Sequence, residues 1–160
     1  MIDQVANIHA ICPSPQDNNV CTVVGRDYPQ ITAGEYSASF LHHETSARFG
    51  GKLFMWFRIH DPGGPFNGVQ VFKAYNVKGL KGRAGMNGKF IVGKRSYFVK
   101  DCTRLFTTGH GKYAPRPADF RNKLFLVNIR EVSTNERQQE YDEAERYSVV
   151  DRILEVQAGG

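Results

Sequence analysis

No apolar run in this 160-residue chain approaches the roughly 18 residues that a membrane span requires, which argues against a membrane helix. Cysteine is scarce. Cys12, Cys21 and Cys102 are odd in number and show no C-x-x-C spacing, so neither a disulfide framework nor a zinc ribbon is expected, and reduced thiols in a cytoplasm fit best. The opening MIDQVANIHAICPSPQDNN has an acid where an export signal carries a cation, and it lacks a long apolar region, so no export is predicted. Metal motifs of the H-x-H, H-E-x-x-H or C-x-x-C kind are absent, as is G-x-S-x-G. His42 and His43 are adjacent, and neighbours in a strand point to opposite faces, so the pair is a poor chelate. A phosphate-binding G-x-x-x-x-G-K-[ST] loop is absent too: Arg83 stands six residues before Lys89, and Phe90 follows it. These gaps predict no catalytic residue, no metal, no cofactor and no small-molecule substrate.

Acids are missing where bases are dense. Residues 41–123 hold sixteen Lys/Arg against only Glu44, Asp61, Asp101 and Asp119, a net of +12. Residues 1–40 carry −3 and residues 124–160 carry −4, for a whole-chain charge of +5. Four acids are too few for an obvious two-metal nuclease cluster. A basic middle between acidic ends is the footprint of a polyanion partner.

The order of elements follows from periodicity. Residues 1–33 read as an N-terminal extension with strand-like VANIHAI (5–11) and VCTVVGR (20–26) around the turn residues CPSPQDNN. GEYSASFLHH (34–43) alternates, with Tyr36, Ala38 and Phe40 on one side. KLFMWFRIH (52–60) and VQVFKAYNV (69–77) are the second and third strands, rich in aromatic and β-branched residues. KGLKGRAGMNGKFIVGKR (78–95) has five glycines and no acid, and reads as a loop or loose hairpin. SYFVKDCTRLF (96–106) changes to a helical period behind an N-capping Ser96. A helical turn is expected after Pro117. KLFLVNIREV (123–132) is the fourth strand, and the charged stretch 133–146 connects it onward. YSVVDRILEV (147–156) is the fifth strand by composition but also fits a helix. Residues 157–160 read as a disordered tail. The expected class is all-β with one short helix. Five strands with a helix between the third and fourth give the element order of an OB-fold-like antiparallel barrel over residues 34–156, a fold that binds oligonucleotides on the face of its second and third strands.

Alternation divides residues 52–60 into two faces. Leu53, Met55, Phe57 and Ile59 form one apolar side. Phe54, Trp56, Arg58 and His60 form the other, which is not a core composition, because unpaired arginine is rarely buried. Rings interleaved with cations suit single-stranded nucleic acid: bases stack, and cations neutralise phosphates. The candidate stacking residues are Phe54, Trp56, Tyr75 and Phe90, with Phe72 a weaker one. The candidate phosphate contacts are Arg58, Lys73, Lys81, Arg83, Lys89, Lys94 and Arg95. The other reading is a β-barrel interaction module whose aromatic strand meets an oligomer or adaptor partner.

GEYSASFLHHETSARFGGKLFMWFRI, then FNGVQVFKAYNV, a basic GKF-V stretch and RYSVVDRILEV, over about residues 33–156, resemble small proteins encoded by bacterial plasmids, integrative elements and phages. These are similar to phage OB-fold single-stranded DNA-binding proteins. The resemblance implies roles in replication, recombination or transfer, homo-oligomers, and binding of single-stranded DNA (with RNA as the alternative) without catalysis. One departure is the ending DRILEVQAGG, which lacks the acidic tail with an apolar tip through which housekeeping single-strand binders recruit partners.

Overall fold

A computed structural model of the protein describes residues 28–106 and 114–159. The strands are β1 (Gly34–Ser46), β2 (Lys52–His60), β3 (Gln70–Asn76), β4 (Gly79–Lys81), β5 (Gly85–Met86), β6 (Lys89–Ile91), β7 (Lys123–Val132) and β8 (Tyr147–Gly159). One helix, α1 (Tyr97–Phe106), lies between β6 and β7, and a 3-10 turn (Pro117–Phe120) precedes β7. The class is mostly β, with an antiparallel sheet in the order β3-β2-β1-β7-β8. β5 pairs with the end of β1, and β4 pairs with β6.

The sheet does not close into the five-stranded OB-fold-like barrel expected from the element order. The sheet curls until its edges, β3 and β8, approach, but no ladder joins them. Side chains fill the seam instead. Lys73 Nζ donates to the Asp151 carbonyl at 2.6 Å, and the Arg104 guanidinium donates to the carbonyls of Ile153 (2.6 Å) and Leu154 (2.9 Å).

Alternation read from sequence places the core correctly on β2: Leu53, Met55, Phe57 and Ile59 are fully buried. Ala38 from β1, Phe125 and Val127 from β7, and Val150 and Ile153 from β8 meet them. α1 contributes Phe98 and Cys102, and the turn before β7 contributes Phe120. The Ser96 hydroxyl accepts from the Val99 N–H, as a cap should.

Two boundaries need correction, at the ends of β1 and β8. β1 runs past residue 43 to Ser46, because β2 and β5 continue to pair with it. The loose hairpin expected within 78–95 is β4 paired with β6, and β5, in the connection between them, binds β1. Residues 147–156 are strand, as composition led one to expect, and pairing along all of β7 settles it against the helix that also fitted. The tail expected at 157–160 continues that strand to Gly159, with Ala158 opposite Leu124. The strands expected at 5–11 and 20–26, with Cys12 and Cys21, lie outside the described residues. Among the described residues, no helix is long and apolar enough to cross a membrane.

Residues 28–33, expected as part of an appendage, form a strap against β8. The Pro29 carbonyl accepts from the Ser148 N–H at 2.9 Å. The buried Ser148 hydroxyl accepts from the Ile31 N–H (2.9 Å) and donates to the Ile31 carbonyl (3.1 Å). Ile31 thereby enters the core. Ser148→Ala leaves both Ile31 backbone groups buried without partners, so it should cost about 1–3 kcal/mol. Urea unfolding of the variant checks this; an unchanged midpoint would mean that the strap adds nothing to stability.

Candidate functional site

Strand pairing turns the alternate residues of β1, β2 and β3 into a grid on the outward face. His42, Trp56 and Phe72 form one row, Glu44, Phe54 and Ala74 the next, and Ser39, Arg58 and Gln70 a third. A register shift between Phe40 and His42 sets this arrangement. Tyr36, Ala38 and Phe40 face the core before it; His42 and Glu44 face outward after it, although all five are even-numbered. A bulge of this kind adds one residue to one strand and so exchanges the two faces beyond it.

The rings on this face touch in sequence. His42 stacks on Trp56 at 6.1 Å and 22°, Trp56 tilts on Phe72 at 5.1 Å, and Phe54 meets Phe72 edge-on at 5.3 Å. The row then crosses the seam. Tyr28 from the strap lies 5.4 Å from Phe72 and 4.9 Å from Tyr147 at the start of β8. Phe72 is the buried centre, 6% exposed, whereas Phe54 and Trp56 are half-buried. Trp56 Nε1 is buried and has no hydrogen-bond partner among the described residues.

Beside these rings opens a groove of about 1200 Å³. Tyr28, Phe54, Phe72 and Tyr147 supply its apolar wall, and Arg48 and Lys52 supply cations. Two acids also border it. Glu44 Oε1 lies 3.2 Å from His42 Nε2, and Glu136 comes from the β7–β8 connection. Lys52 Nζ donates to Asn76 Oδ1 across β2 and β3.

Ala84 and Gly85 form the rim of the groove, so the basic segment is continuous with it. That segment is anchored. The Asn87 N–H donates to the His43 carbonyl at 2.8 Å, and His43 Nε2 lies 2.9 Å from the Gly88 carbonyl. The Gly85 N–H donates to Thr45 Oγ1. Gly88 serves this anchor, since a Cβ there would lie 2.0 Å from Thr45 Oγ1. Lys78, Lys81, Arg83, Lys89, Lys94 and Arg95 are all exposed. None is ion-paired among the described residues.

The structure therefore gathers Phe54, Trp56 and Arg58 on one face, while Lys81, Arg83, Lys89, Lys94 and Arg95 are exposed along the segment whose Ala84 and Gly85 border the groove. Three of the residues singled out in sequence lie elsewhere. Tyr75 and Lys73 pair with the inward residues Leu53 and Met55, so both point away from the grid. Tyr75 is 3% exposed and donates to Asp101 Oδ2 at 2.7 Å, which leaves no ring face open. Lys73 is the half-buried seam cation, and burial lowers its pKa against the pull of Asp101 and Asp151. Phe90 packs against Phe98 at 5.5 Å and His43 at 6.0 Å, under the basic segment rather than on it.

Sequence reading missed His42 as the ring stacked on Trp56, and Tyr28, Tyr147, Arg48 and Lys52 as lining of the groove beside Phe54 and Phe72. Only Lys52 carried a local signal, since it shares the outward parity of Phe54. Among the described residues, no group of three His, Cys, Asp or Glu could hold a metal. What the arrangement offers is ring faces next to cations, which can stack a flat group and neutralise an anion.

Burial and the adjacent Asp101 raise the Tyr75 phenol far above its ordinary pKa. The unfolded chain releases this proton near pH 10, while the folded chain keeps it. The stabilisation is thus complete below about pH 10 and declines above it. Urea midpoints at pH 9 and pH 11 should fall more steeply in the parent than in Tyr75→Phe; equal falls would assign the alkaline loss to other groups.

No family model, curated protein or solved structure matches the chain.

Proposed function

We propose that this chain binds single-stranded nucleic acid, DNA foremost, with little sequence preference and without catalysis, on the outward face of β1–β3. The observation that carries the reading is β2 itself. Its inward residues are wholly apolar and buried, yet its outward residues are Phe54, Trp56, Arg58 and His60, and the groove beside Phe54 carries Arg48 and Lys52 and is bordered by Ala84 and Gly85 of the basic segment. Rings of this kind stack bases whatever their identity, at about 1–3 kcal/mol per base, and the cations track phosphates.

The topology supports an OB-fold-like reading within the same proposal. Three strands meander, a helix follows, β7 returns beside β1, and β8 lies beside β7, with the seam between β3 and β8 left open. Service to a plasmid, integrative element or phage, and assembly as a homo-oligomer, follow from the resemblance and complete the proposal. A second reading, a protein-interaction module, draws on Met86 and Ile91, which are 61% and 43% exposed on the basic segment.

Trp56 is the only tryptophan, so its fluorescence reports on the site directly. A dT oligomer of about 30 nucleotides should quench it saturably. The logarithm of the affinity should fall with the logarithm of salt with a slope of about −3.5 for about five neutralised phosphates. Duplex of the same length should bind poorly, and a matched RNA tests the choice of DNA. Phe54→Ala should weaken binding about tenfold. Absence of quenching and of gel comigration at low salt would overturn the reading. A fluorescence change with protein concentration alone would favour the interaction module.

A further inference from the structure

The basic surface does not end with β6. Lys94 and Arg95 continue it into α1, and residues 78–100 contain no acid at all. The first residue of that helix, Tyr97, is 75% exposed, more than Met86 or Ile91, the other large hydrophobic residues left open among the described residues. Its neighbour Phe98 turns fully into the core, so the helix does not need Tyr97 for packing. The Lys100 ammonium sits 5.1 Å from the Tyr97 ring centroid, against one face. The next acid along the chain, Asp101, is taken by the Tyr75 hydroxyl and the Arg104 guanidinium. An open aromatic ring with one cation against it, and with the exposed Arg95 and Lys94 two and three residues before it in the chain, is the same chemistry as the β2 face on a separate element.

We propose that Tyr97, with Lys94, Arg95 and Lys100, is a second base-stacking site. It takes a nucleobase on the open face of the Tyr97 ring and the flanking phosphates on the three cations. The inference rests on the proposed single-strand binding and extends it. A strand lying in the groove leaves it at Ala84 and Gly85, passes the exposed Arg83 and Lys89, and reaches α1. The footprint is then longer than the β2–β3 face alone requires.

The test compares the parent, Tyr97→Ala and Tyr97→Phe with fluorescein-labelled dT oligomers of about 8 and about 30 nucleotides, read by anisotropy at one salt concentration. Tyr97→Ala should lose about tenfold in affinity for the long oligomer and less than twofold for the short one, which the β2 face alone holds. Tyr97→Phe keeps the ring and should match the parent. Equal affinities of parent and Tyr97→Ala for the long oligomer, with Trp56 quenching intact, would overturn the second site and leave the binding function standing. Failure of the parent to bind either oligomer would overturn the function, and this inference with it. Tyr97 makes no core contact, so circular dichroism of the variants should match the parent; a loss of affinity in both Tyr97→Ala and Tyr97→Phe would also overturn the stacking role.

Discussion

The carbonyls of Asp151, Ile153 and Leu154 lie on an edge strand that has no neighbour beyond it, and Lys73 and Arg104 supply the donors that another strand would otherwise bring. A carbonyl buried without a partner costs as much as a lost hydrogen bond, so a curled sheet with a gap in it needs such donors. Much else follows from this closure. Arg104 belongs to α1, and its bonds to β8 fasten the helix across the seam. On the same helix Asp101 receives the Tyr75 hydroxyl and pairs with Arg104, which ties β3 to the helix as well. Phe98 and Cys102 are thereby pressed into the core between the two edges. The closure also commits Lys73, which is why a lysine in an aromatic strand does not reach the outward surface.

Strand β2 was legible in the sequence because it obeys one rule along its whole length. Every second residue from Leu53 to Ile59 is apolar, and each is buried. Strand β1 was legible only as far as Phe40. The bulge after it leaves no trace in composition, yet it decides that His42 rather than His43 lies against Trp56. In β3 the parity was ambiguous because Phe72 and Tyr75 are both aromatic and both buried, one in each layer. Register against β2 resolves it, and register comes from pairing, not from the strand's own residues. Tyr28 and Tyr147 are more than a hundred residues apart in the chain and meet only because Ser148 fastens the strap to β8. The basic segment was read correctly as charge. Its anchoring was not, because the glycine that allows the close approach at Thr45 looks like any other in a glycine-rich stretch.

The outward aromatic layer is held by packing more than by polar contacts. Trp56 has no partner for its indole N–H among the described residues, a buried loss of about 1–3 kcal/mol. Its orientation therefore depends on His42 on one side and Phe72 on the other. Phe72 in turn is fixed by Phe54, Tyr28 and Tyr147, which approach it from three elements. A layer built this way has a rigid centre and half-open margins. The ring that is covered, Phe72, orients the rings that are not, Phe54 and Trp56. Rigid, partly exposed rings lose little conformational entropy when a flat partner settles on them. The cations of Arg58 and of residues 78–95 are exposed and without ion pairs among the described residues, so they would lose little hydration on meeting an anion. The two halves of the surface thus suit the two halves of a nucleotide, with the base on a preformed ring layer and the phosphate on hydrated charge.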